Sequence, residues 1–367
     1  MSTAVTWGSM TGARRGATFG LLAAATFGVS APLAKLLGAR IAPLMLAGLL
    51  YAGAGAALTI VGVFRGLRDG TGDGAPRGEM PLARGDLGAL LAVTVLGGMV
   101  GPLLMLFGLA RSSATAGSLF LNLEGPLTAL CAVVAFGEHL GRRGLGATAL
   151  VFAGAALLGA GGGVGQVSLG GAAALAGACL AWAVDNNLTQ RLALRDPIAV
   201  VRAKTLGAGG ALLALALVFG NHLPPLRLAL ATVTVGAISY GASVLLDAYA
   251  LRLLGAAREA AFFATAPFVG AVVGAVLFRE PVTLSELGAG ALMIAGLAAL
   301  LRERHGHVHT HAPLEHAHVH VHDAHHTHRH DGPGDASGAE PHAHPHRHEA
   351  LTHDHPHTSD AHHRHRH

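Results

Sequence analysis

The chain has 367 residues, of which 51% are hydrophobic and only 13% are charged, whereas about a quarter of the residues of an ordinary soluble domain are charged. This composition excludes a soluble globular protein and predicts an all-α protein that crosses a membrane many times. The net charge of +4 comes from arginines spread thinly over predicted loops, so it indicates no basic surface for nucleic acid.

Hydropathy along the chain predicts ten transmembrane helices after an amino-terminal lead-in at 1–15. Each helix needs about 20 apolar residues to cross a hydrocarbon core of roughly 30 Å. In chain order, spans 1 to 10 are predicted at 16–37, 41–63, 86–109, 112–136, 144–163, 170–190, 197–219, 229–251, 257–278 and 283–301. A polar tail at 302–367 follows the last span.

Arginines in the short loops predict how the spans are oriented, because cytoplasmic loops carry an excess of Lys and Arg. If the amino terminus is cytoplasmic, the inside segments hold fourteen arginines and the outside loops hold four. We therefore expect a multi-pass protein of the cytoplasmic (inner) membrane with both termini in the cytoplasm.

The chain contains an internal duplication. Its first copy contains Pro126, Glu138, Gly146 and Gly154, and its second contains Pro267, Glu280, Gly288 and Gly296. The step from Glu to Gly and the step from Gly to Gly are eight residues in both copies. Residues 27–35 likewise align with residues 182–190. The duplication predicts two five-helix repeats, at 16–163 and 164–301, and the odd number of spans in each requires that they be inserted in opposite senses.

These paired hairpins, a first span with Phe27 and a terminal Lys35, and the five-plus-five layout resemble the EamA-domain members of the drug/metabolite transporter superfamily. The resemblance covers roughly residues 16–301. It implies a ten-helix secondary carrier that works by alternating access, and not an enzyme. Glu138 and Glu280 match the hairpin glutamate of the family, which lies at a membrane edge. The motifs do not identify a substrate, since relatives export amino acids, other metabolites and drugs.

Glu124 is the ionisable residue nearest the middle of span 4. A charge at a helix centre costs about 2.5–3.5 kcal/mol on insertion scales, so it requires a partner or a water-filled cavity. Pro126 and Asn122 lie beside Glu124, and proline frees backbone groups for other partners. We predict that Glu124 couples protons or binds a cation; the alternative is a neutral or paired glutamate within the bundle. Thr265 occupies the equivalent position in the second repeat.

Span 6 supplies the second group of polar candidates, Asp185, Asn186 and Asn187. The two asparagines offer uncharged donors and acceptors on a span expected to line a central cavity. Asp185 and Lys204 are candidates for an intramembrane ion pair, and a structural pairing is also expected for Asp247.

Three aromatic residues, Phe27, Trp182 and Tyr240, are candidates for an apolar wall against an organic substrate. The alternative is that they lie at the membrane interface. Lys35 matches the lysine that follows the first span in the family, although a lysine at a membrane edge also extends to the interface without any such role. The predicted substrate and coupling residues are therefore Glu124, Asn122, Asp185, Asn186, Asn187, Trp182, Tyr240 and Lys35.

The tail contains 23 of the 25 histidines, many of them alternating with another residue. We predict a disordered cytoplasmic segment, and neutral imidazole suits Zn, Ni, Co or Cu. The predicted metal ligands are His307, His309, His311, His316, His318, His320 and His322. Three interpretations stay open: a metal buffer or sensor that serves an exporter, a regulator of an organic-solute carrier, or a dispensable extension.

The sequence thus predicts a transporter that exports a small organic metabolite or drug, coupled to protons or to exchange, with no required cofactor. The alternative is a divalent metal (Ni, Co or Zn) exporter that uses the tail as a cytosolic buffer or sensor. A membrane-embedded metal sensor is the non-transport alternative. The predicted partners are a small-molecule substrate, the lipid bilayer and metal ions, without nucleic acid, in a monomer or homodimer.

Overall fold

The computed structural model describes residues 7–69, 80–136, 140–160, 167–192, 195–254 and 256–302, and the backbone of four short segments of the tail at 305–311, 314–320, 342–348 and 351–357. Glu138 of the first hairpin lies outside the described residues. The body of the chain is helical throughout these ranges apart from short connections.

Fifteen α-helices make up this body. They are α1 (Trp7–Gly28), α2 (Ser30–Gly38), α3 (Pro43–Asp69), α4 (Leu87–Val93), α5 (Gly101–Leu109), α6 (Ala114–Phe120), α7 (Glu124–Phe136), α8 (Arg142–Ala160), α9 (Leu169–Thr189), α10 (Pro197–Val218), α11 (Leu226–Gly236), α12 (Ser243–Leu254), α13 (Ala256–Phe263), α14 (Ala266–Phe278) and α15 (Leu284–Leu301). Short 3-10 turns lie at Arg84–Asp86, Leu121–Leu123 and Gln190–Leu192. The first helix begins at Trp7 rather than at residue 16, so the helical part of the chain extends into the predicted lead-in.

Nine helical segments of the described chain are long and apolar enough to cross a membrane. They correspond to predicted spans 1 to 8 and span 10. The predicted ninth span, 257–278, is not continuous, because a turn at residues 264–265 separates α13 from α14. Pro267, which follows this turn, has no N–H and disfavours helical geometry in the residue before it. Span 4 is interrupted at the same place, by the 3-10 turn that precedes Pro126.

Spans 3 and 8 each contain a π-helical segment, at Thr94–Val100 and at Ala237–Ala242. A π turn closes its hydrogen bonds five residues apart instead of four, and such turns occur frequently at functional sites. Spans 3 and 8 are the third spans of the two predicted repeats, so the irregularity falls at corresponding places in the chain.

Helix packing pairs the two halves of the chain. The most extensive contacts join α3 to α10, α8 to α15, α1 to α12, α5 to α9 and α6 to α14. Each of these pairs joins one helix from residues 7–160 to one from residues 169–301. The set of pairs is unchanged when every span of one half is exchanged for the corresponding span of the other half, which is expected of two related halves. The inverted repeat itself stays a prediction.

Two glycines allow span 8 to cross span 2 at very short distance. A Cβ on Gly236 would lie 2.0 Å from the carbonyl oxygen of Leu50, and a Cβ on Gly53 would lie 2.1 Å from that of Val233. Small residues at such crossings are typical of membrane helices, where close packing replaces the hydrophobic effect as the driving force.

In the tail, four strands, β1 (His305–His311), β2 (Leu314–His320), β3 (His342–His348) and β4 (Leu351–His357), form two antiparallel pairs. Strand β1 pairs with β4, and β2 pairs with β3. The prediction that the tail is disordered stays a prediction. The alternation of histidine with another residue has the period of two that suits extended backbone, and the prediction used this alternation only as a sign of metal ligands.

Candidate functional site

A cavity of about 480 Å³ lies in the helix bundle, between helices of both halves. Its volume is within the range of small-molecule sites, roughly 300–1,000 Å³. Residues from α1, α2, α6, α7, α9 and α12 to α15 line it. The polar lining residues are Ser30, Ser118, Asn122, Glu124, Thr128, Asn186, Asp247 and Glu259.

Three of these lining residues are acidic, and each reaches the cavity from a different helix. Glu124 is the first residue of α7, and its Oε1 accepts a hydrogen bond of 2.9 Å from Nδ2 of Asn186 on α9. Asp247 on α12 and Glu259 on α13 also line the cavity, and their side chains lie close enough to interact electrostatically. The cavity therefore holds a carboxyl pair in addition to Glu124.

Three polar atoms of the lining have no hydrogen-bond partner among the residues that the structure describes: Ser118 Oγ, Asn122 Oδ1 and Asp247 Oδ1. Asn122 is only 3% exposed, and its Nδ2 already donates to the carbonyl oxygen of Leu119 at 2.9 Å. Buried polar groups of folded proteins are almost always paired. The structure therefore leaves these three buried atoms unpaired beside the cavity.

Aromatic rings form the apolar part of the lining. Phe27 and Phe263 face one another across α1 and α13 with their ring centroids 5.2 Å apart. Trp182 also lines the cavity, and its Nε1 donates to the carbonyl oxygen of Gly97 at 3.1 Å. The same carbonyl accepts a hydrogen bond of 2.9 Å from Tyr51 OH. Gly97 lies within the first π segment, so this segment fixes the indole against the cavity.

A buried ion pair lies beside the cavity, between Lys204 on α10 and Asp185 on α9. Side-chain exposure is 18% for Lys204 and 5% for Asp185. Neither residue is part of the cavity lining. The pair confirms the predicted contact between them and neutralises Asp185 without the use of any lining group.

At the opposite end of the bundle, Glu280 of the second half and Lys35 of the first half bind backbone groups of the first half. Both oxygens of Glu280 accept hydrogen bonds at the start of α6, from the backbone N–H of Ala114 at 2.8 Å and that of Thr115 at 2.9 Å. Lys35 Nζ donates to the carbonyl oxygens of Leu109 at 2.6 Å and Ser112 at 2.5 Å. We call this region the Lys35 end and the region around Asp247 and Glu259 the Asp247 end.

The structure brings together only part of the predicted site. Glu124, Asn122, Asn186 and Trp182 line the cavity, and their roles stay predictions. The others do not line it: Asp185 is paired with Lys204, Asn187 donates to the carbonyl oxygens of Ala183 and Thr128, Tyr240 packs against Phe27 and Tyr51, and Lys35 lies at the far end.

Sequence reasoning missed Glu259 and assigned Asp247 only a structural pairing. The duplication contains the signal that would have found Glu259. Pro267 lies 141 residues after Pro126, and the same step leads from Ser118 to Glu259. Both residues line the cavity, so each repeat supplies the equivalent position of its fourth span.

Most of the predicted metal ligands of the tail belong to strands β1 and β2, and His322 lies outside the described residues. Across β1 and β4, His307 is opposite His355 and His309 is opposite His353. In the described side chains, which do not include those of the tail, no group of three His, Cys, Asp or Glu residues is arranged to hold a metal ion.

Comparison with known proteins gives the family. The EamA-like transporter family matches the chain over residues 14–160 and 169–302. A relative described as an uncharacterized transporter, from Methanothermobacter thermautotrophicus, is 29% identical over 228 residues, which cover 60% of this chain and 66% of the relative. The chain thus spans slightly less than two thirds of that relative.

A solved crystal structure of a protein that is 20% identical has a TM-score of 0.54, and the match covers 77% of this chain and 95% of that one. At this identity the likeness concerns the fold alone. The two family matches together take in almost all of the helical body described above. The chain therefore belongs to the EamA-like transporter family and is a multi-pass membrane protein.

Proposed function

We propose that this transporter exports a small organic metabolite or drug through the central cavity, coupled to protons or to exchange. The observation that carries the proposal is the composition of the cavity, which combines aromatic rings, neutral polar residues and carboxyl groups around about 480 Å³. An organic solute has both an apolar body and polar groups, and pockets for such ligands join the same two kinds of surface.

Alternating access is supported by the asymmetry between the two ends of the bundle. At the Lys35 end, Glu280 and Lys35 hold backbone groups of α5 and α6 and the loop between them. The cavity lining reaches Leu300 and Leu301, near the end of α15, on the Asp247 side. In the orientation that the arginines predict, the Asp247 end faces the cytoplasm, which is the side from which an exporter takes its substrate.

The first experiment compares cells that express the full chain with cells that express a chain ending at Arg304. Both are challenged with amino acids and drugs and with Ni, Co, Zn and Cu. Resistance to organic compounds that survives truncation, together with efflux of the same compounds, is the expected result. A full chain that lowers only cellular metal, and loses this effect on truncation, would contradict the proposal.

Divalent metal export is the second candidate function, and the observation that favours it is the pairing of histidines in the tail. In β2 and β3, His316 is opposite His346 and His318 is opposite His344, so that histidines face histidines along the paired backbone. Residues directly opposite one another in an antiparallel pair have Cβ atoms about 4.5–5.5 Å apart. Such a tail would collect Zn, Ni, Co or Cu and pass them to the oxygen ligands of the cavity. A comparison of metal accumulation in cells that express the chain ending at Arg304 and in cells that express the full chain separates this candidate from the first.

A further inference from the structure

Histidines stand opposite histidines along both strand pairs of the tail. Strand β1 pairs with β4 and strand β2 pairs with β3, and each antiparallel pair contains three successive His–His pairs. We call β1 and β4 the outer ladder and β2 and β3 the inner ladder. The outer ladder pairs His305 with His357, His307 with His355 and His309 with His353, and the inner ladder pairs His316 with His346, His318 with His344 and His320 with His342.

The paired histidines of each ladder share one face of the strands. Successive side chains of a strand alternate between its two faces, and these histidines are two residues apart. Residues directly opposite one another have Cβ atoms about 4.5–5.5 Å apart, and two residues along a strand span about 7 Å. Two neighbouring His–His pairs therefore place four histidines at the corners of a rectangle of about 5 by 7 Å.

Four neutral imidazoles are a ligand set for a divalent transition-metal ion. Histidine nitrogen binds zinc at about 2.0–2.1 Å, and structural zinc sites are almost always four-coordinate. Ni, Co and Cu also accept imidazole, whereas Mg and Ca prefer oxygen ligands. The two carboxylate residues of these strands, Glu315 and Asp354, alternate with the histidines and so belong to the other face. The histidine faces therefore suit the imidazole-binding metals.

Little else in these strands stabilises their pairing. Each ladder has two strands, and an isolated two-stranded sheet is marginally stable in water at best. The extensive contacts of each strand are with its own partner. Each ladder also contains a proline, Pro356 or Pro345, which has no N–H to donate. A metal ion adds its binding free energy to the folded form that brings its ligands together, so an ion on the histidine face would stabilise the pairing.

We propose that each ladder binds one divalent transition-metal ion through two neighbouring His–His pairs, and that binding draws residues 305–320 and 342–357 together. The central pairs, His307 with His355 and His318 with His344, belong to either choice of neighbouring pairs and so to every such site. The ligands predicted from the sequence end at His322, whereas these sites take half of their ligands from β3 and β4. The inference goes beyond the proposed function, because closure of the tail by metal does not depend on the solute that the helices transport.

The first measurement counts the Zn²⁺ ions that the full chain in detergent retains against a competing chromophoric chelator. We expect the unmodified chain to retain two ions more than a chain that ends at Arg304. His307→Ala and His355→Ala should each leave one ion, because a site that lacks one ligand loses its ion to the chelator. The two substitutions together should still leave one ion, since they affect the same site. His307→Ala with His344→Ala, from different ladders, should leave none.

His325→Ala with His326→Ala is the matched control. It removes two histidines of the tail that belong to neither ladder, so both ions should be retained. Size-exclusion profiles show which variants fold. Where an outer-ladder variant does not, His318→Ala with His344→Ala repeats the test in the inner ladder, and one ion should remain.

The second measurement follows closure of the tail by energy transfer between dyes on Arg304→Cys and Ser359→Cys, which flank β1 and β4 in the sequence. The chain lacks Cys131 and Cys179, and the dyes block the two new thiols from binding metal. A flexible chain of about 55 residues has an r.m.s. end-to-end distance of about 40 Å, whereas paired strands lie only about 5 Å apart. We expect Zn²⁺ to raise the energy transfer, EDTA to reverse the rise, and the variant that retains no ion to show none.

Three results would overturn the inference. The control could lose as many ions as the ladder variants, which would describe a histidine buffer without fixed partners. A further ion could be lost when the second histidine of one pair is removed, which would place the two histidines in separate sites. Two ions could be retained without a rise in energy transfer, so that each ion binds within one strand. Export of organic solutes by the chain that ends at Arg304 is measured separately, so the proposed function stands or fails independently.

Discussion

At the scale of single residues, the buried pair between Lys204 and Asp185 decides how much charge the cavity carries. Asp185 stands at the position in span 6 that corresponds to Ser30 in span 1, with the same step of 155 residues that leads from Phe27 to Trp182. Ser30, Phe27 and Trp182 line the cavity, whereas Asp185 is turned to α10. The ion pair thus keeps one carboxylate out of the site.

Removal of one partner should cost more stability than removal of both. We expect Asp185→Asn to lower the free energy of unfolding by roughly 2–3 kcal/mol, since it leaves the mostly buried Lys204 ammonium without its partner. The double variant Asp185→Asn, Lys204→Met should recover part of this loss. Thermal unfolding of the purified variants, followed by fluorescence-detected size exclusion, measures both effects. An equal loss in the single and double variants would show that the pair contributes little.

The predicted residues that line the cavity each stand in an apolar run and their roles stay predictions, whereas Glu259, near the end of a span, was missed. Glu124, Asn122 and Asn186 were recognisable because each interrupts a long apolar stretch. Glu259 lies only a few residues after the start of span 9. A charged residue near the end of a span costs little free energy of membrane insertion, so hydropathy does not single it out. Only the three-dimensional course of α13 brings Glu259 to Asp247.

At the scale of elements, the close crossing of spans 2 and 8 should tolerate no side chain. Gly236→Ala is expected to destabilise the protein by about 1–3 kcal/mol through overpacking, because its Cβ would lie 2.0 Å from the Leu50 carbonyl oxygen. Gly210→Ala is the matched control: it also lies within a helix, and its Cβ would meet nothing within 4 Å. The melting temperatures of the two variants test this, and a similar loss in both would contradict the crossing geometry.

We expect Glu280 to hold the two halves together at the Lys35 end. Its carboxylate lies in the loop after α14 and accepts hydrogen bonds from the backbone at the start of α6. Glu280→Gln replaces a charge-assisted contact with a neutral one, a loss of about 1 kcal/mol or about fivefold in the equilibrium between states. The test uses Ser118→Cys in a chain without Cys131 and Cys179. We expect this cysteine to react about fivefold faster with an impermeant thiol reagent from the Lys35 end when Glu280→Gln is present than when Glu280 is intact.

Intact cells and inverted vesicles expose opposite ends of the bundle, so a comparison of the two gives the result without an assumed orientation. Arg279→Gln is the control, because it alters an exposed charge next to Glu280 and leaves the capping carboxylate in place. Equal labelling rates in both variants would show that the Glu280 contact does not hold the Lys35 end closed.

Nine of the ten predicted spans correspond to long apolar helices of the described chain, because about 20 apolar residues between polar breaks define a span whatever its neighbours are. The two features that differ are local irregularities. The turn before Pro267 divides span 9, and π turns interrupt spans 3 and 8. Neither changes mean hydropathy, so hydropathy alone contains no signal for them. Proline lies next to the break in span 9 and next to the π segment of span 3, as Pro267 and Pro102, but no proline lies next to the π segment of span 8.

At the scale of the whole molecule, the tail and the helix bundle should behave as separate units. The extensive contacts of β1 to β4 are with one another. We therefore expect a chain that ends at Arg304 to keep the melting temperature of the full chain when metal is absent. The full chain should bind several Zn²⁺ or Ni²⁺ ions in titration calorimetry, and the truncated chain should lose this binding. A large drop in melting temperature on truncation would show that the tail packs on the bundle.

The π segments determine what the deletion of a single residue from span 3 or span 8 would do to the helix. An α-helix advances by about 100° per residue, and each wide turn holds one residue more than an α turn would. Deleting one residue from Thr94–Val100 would restore regular geometry but rotate the preceding part of span 3 by about that angle. The Gly97 carbonyl, which accepts hydrogen bonds from Tyr51 and Trp182, would no longer keep its present direction relative to both of these side chains. A gap at this place in an aligned relative therefore identifies a protein in which the two aromatic side chains must find other acceptors.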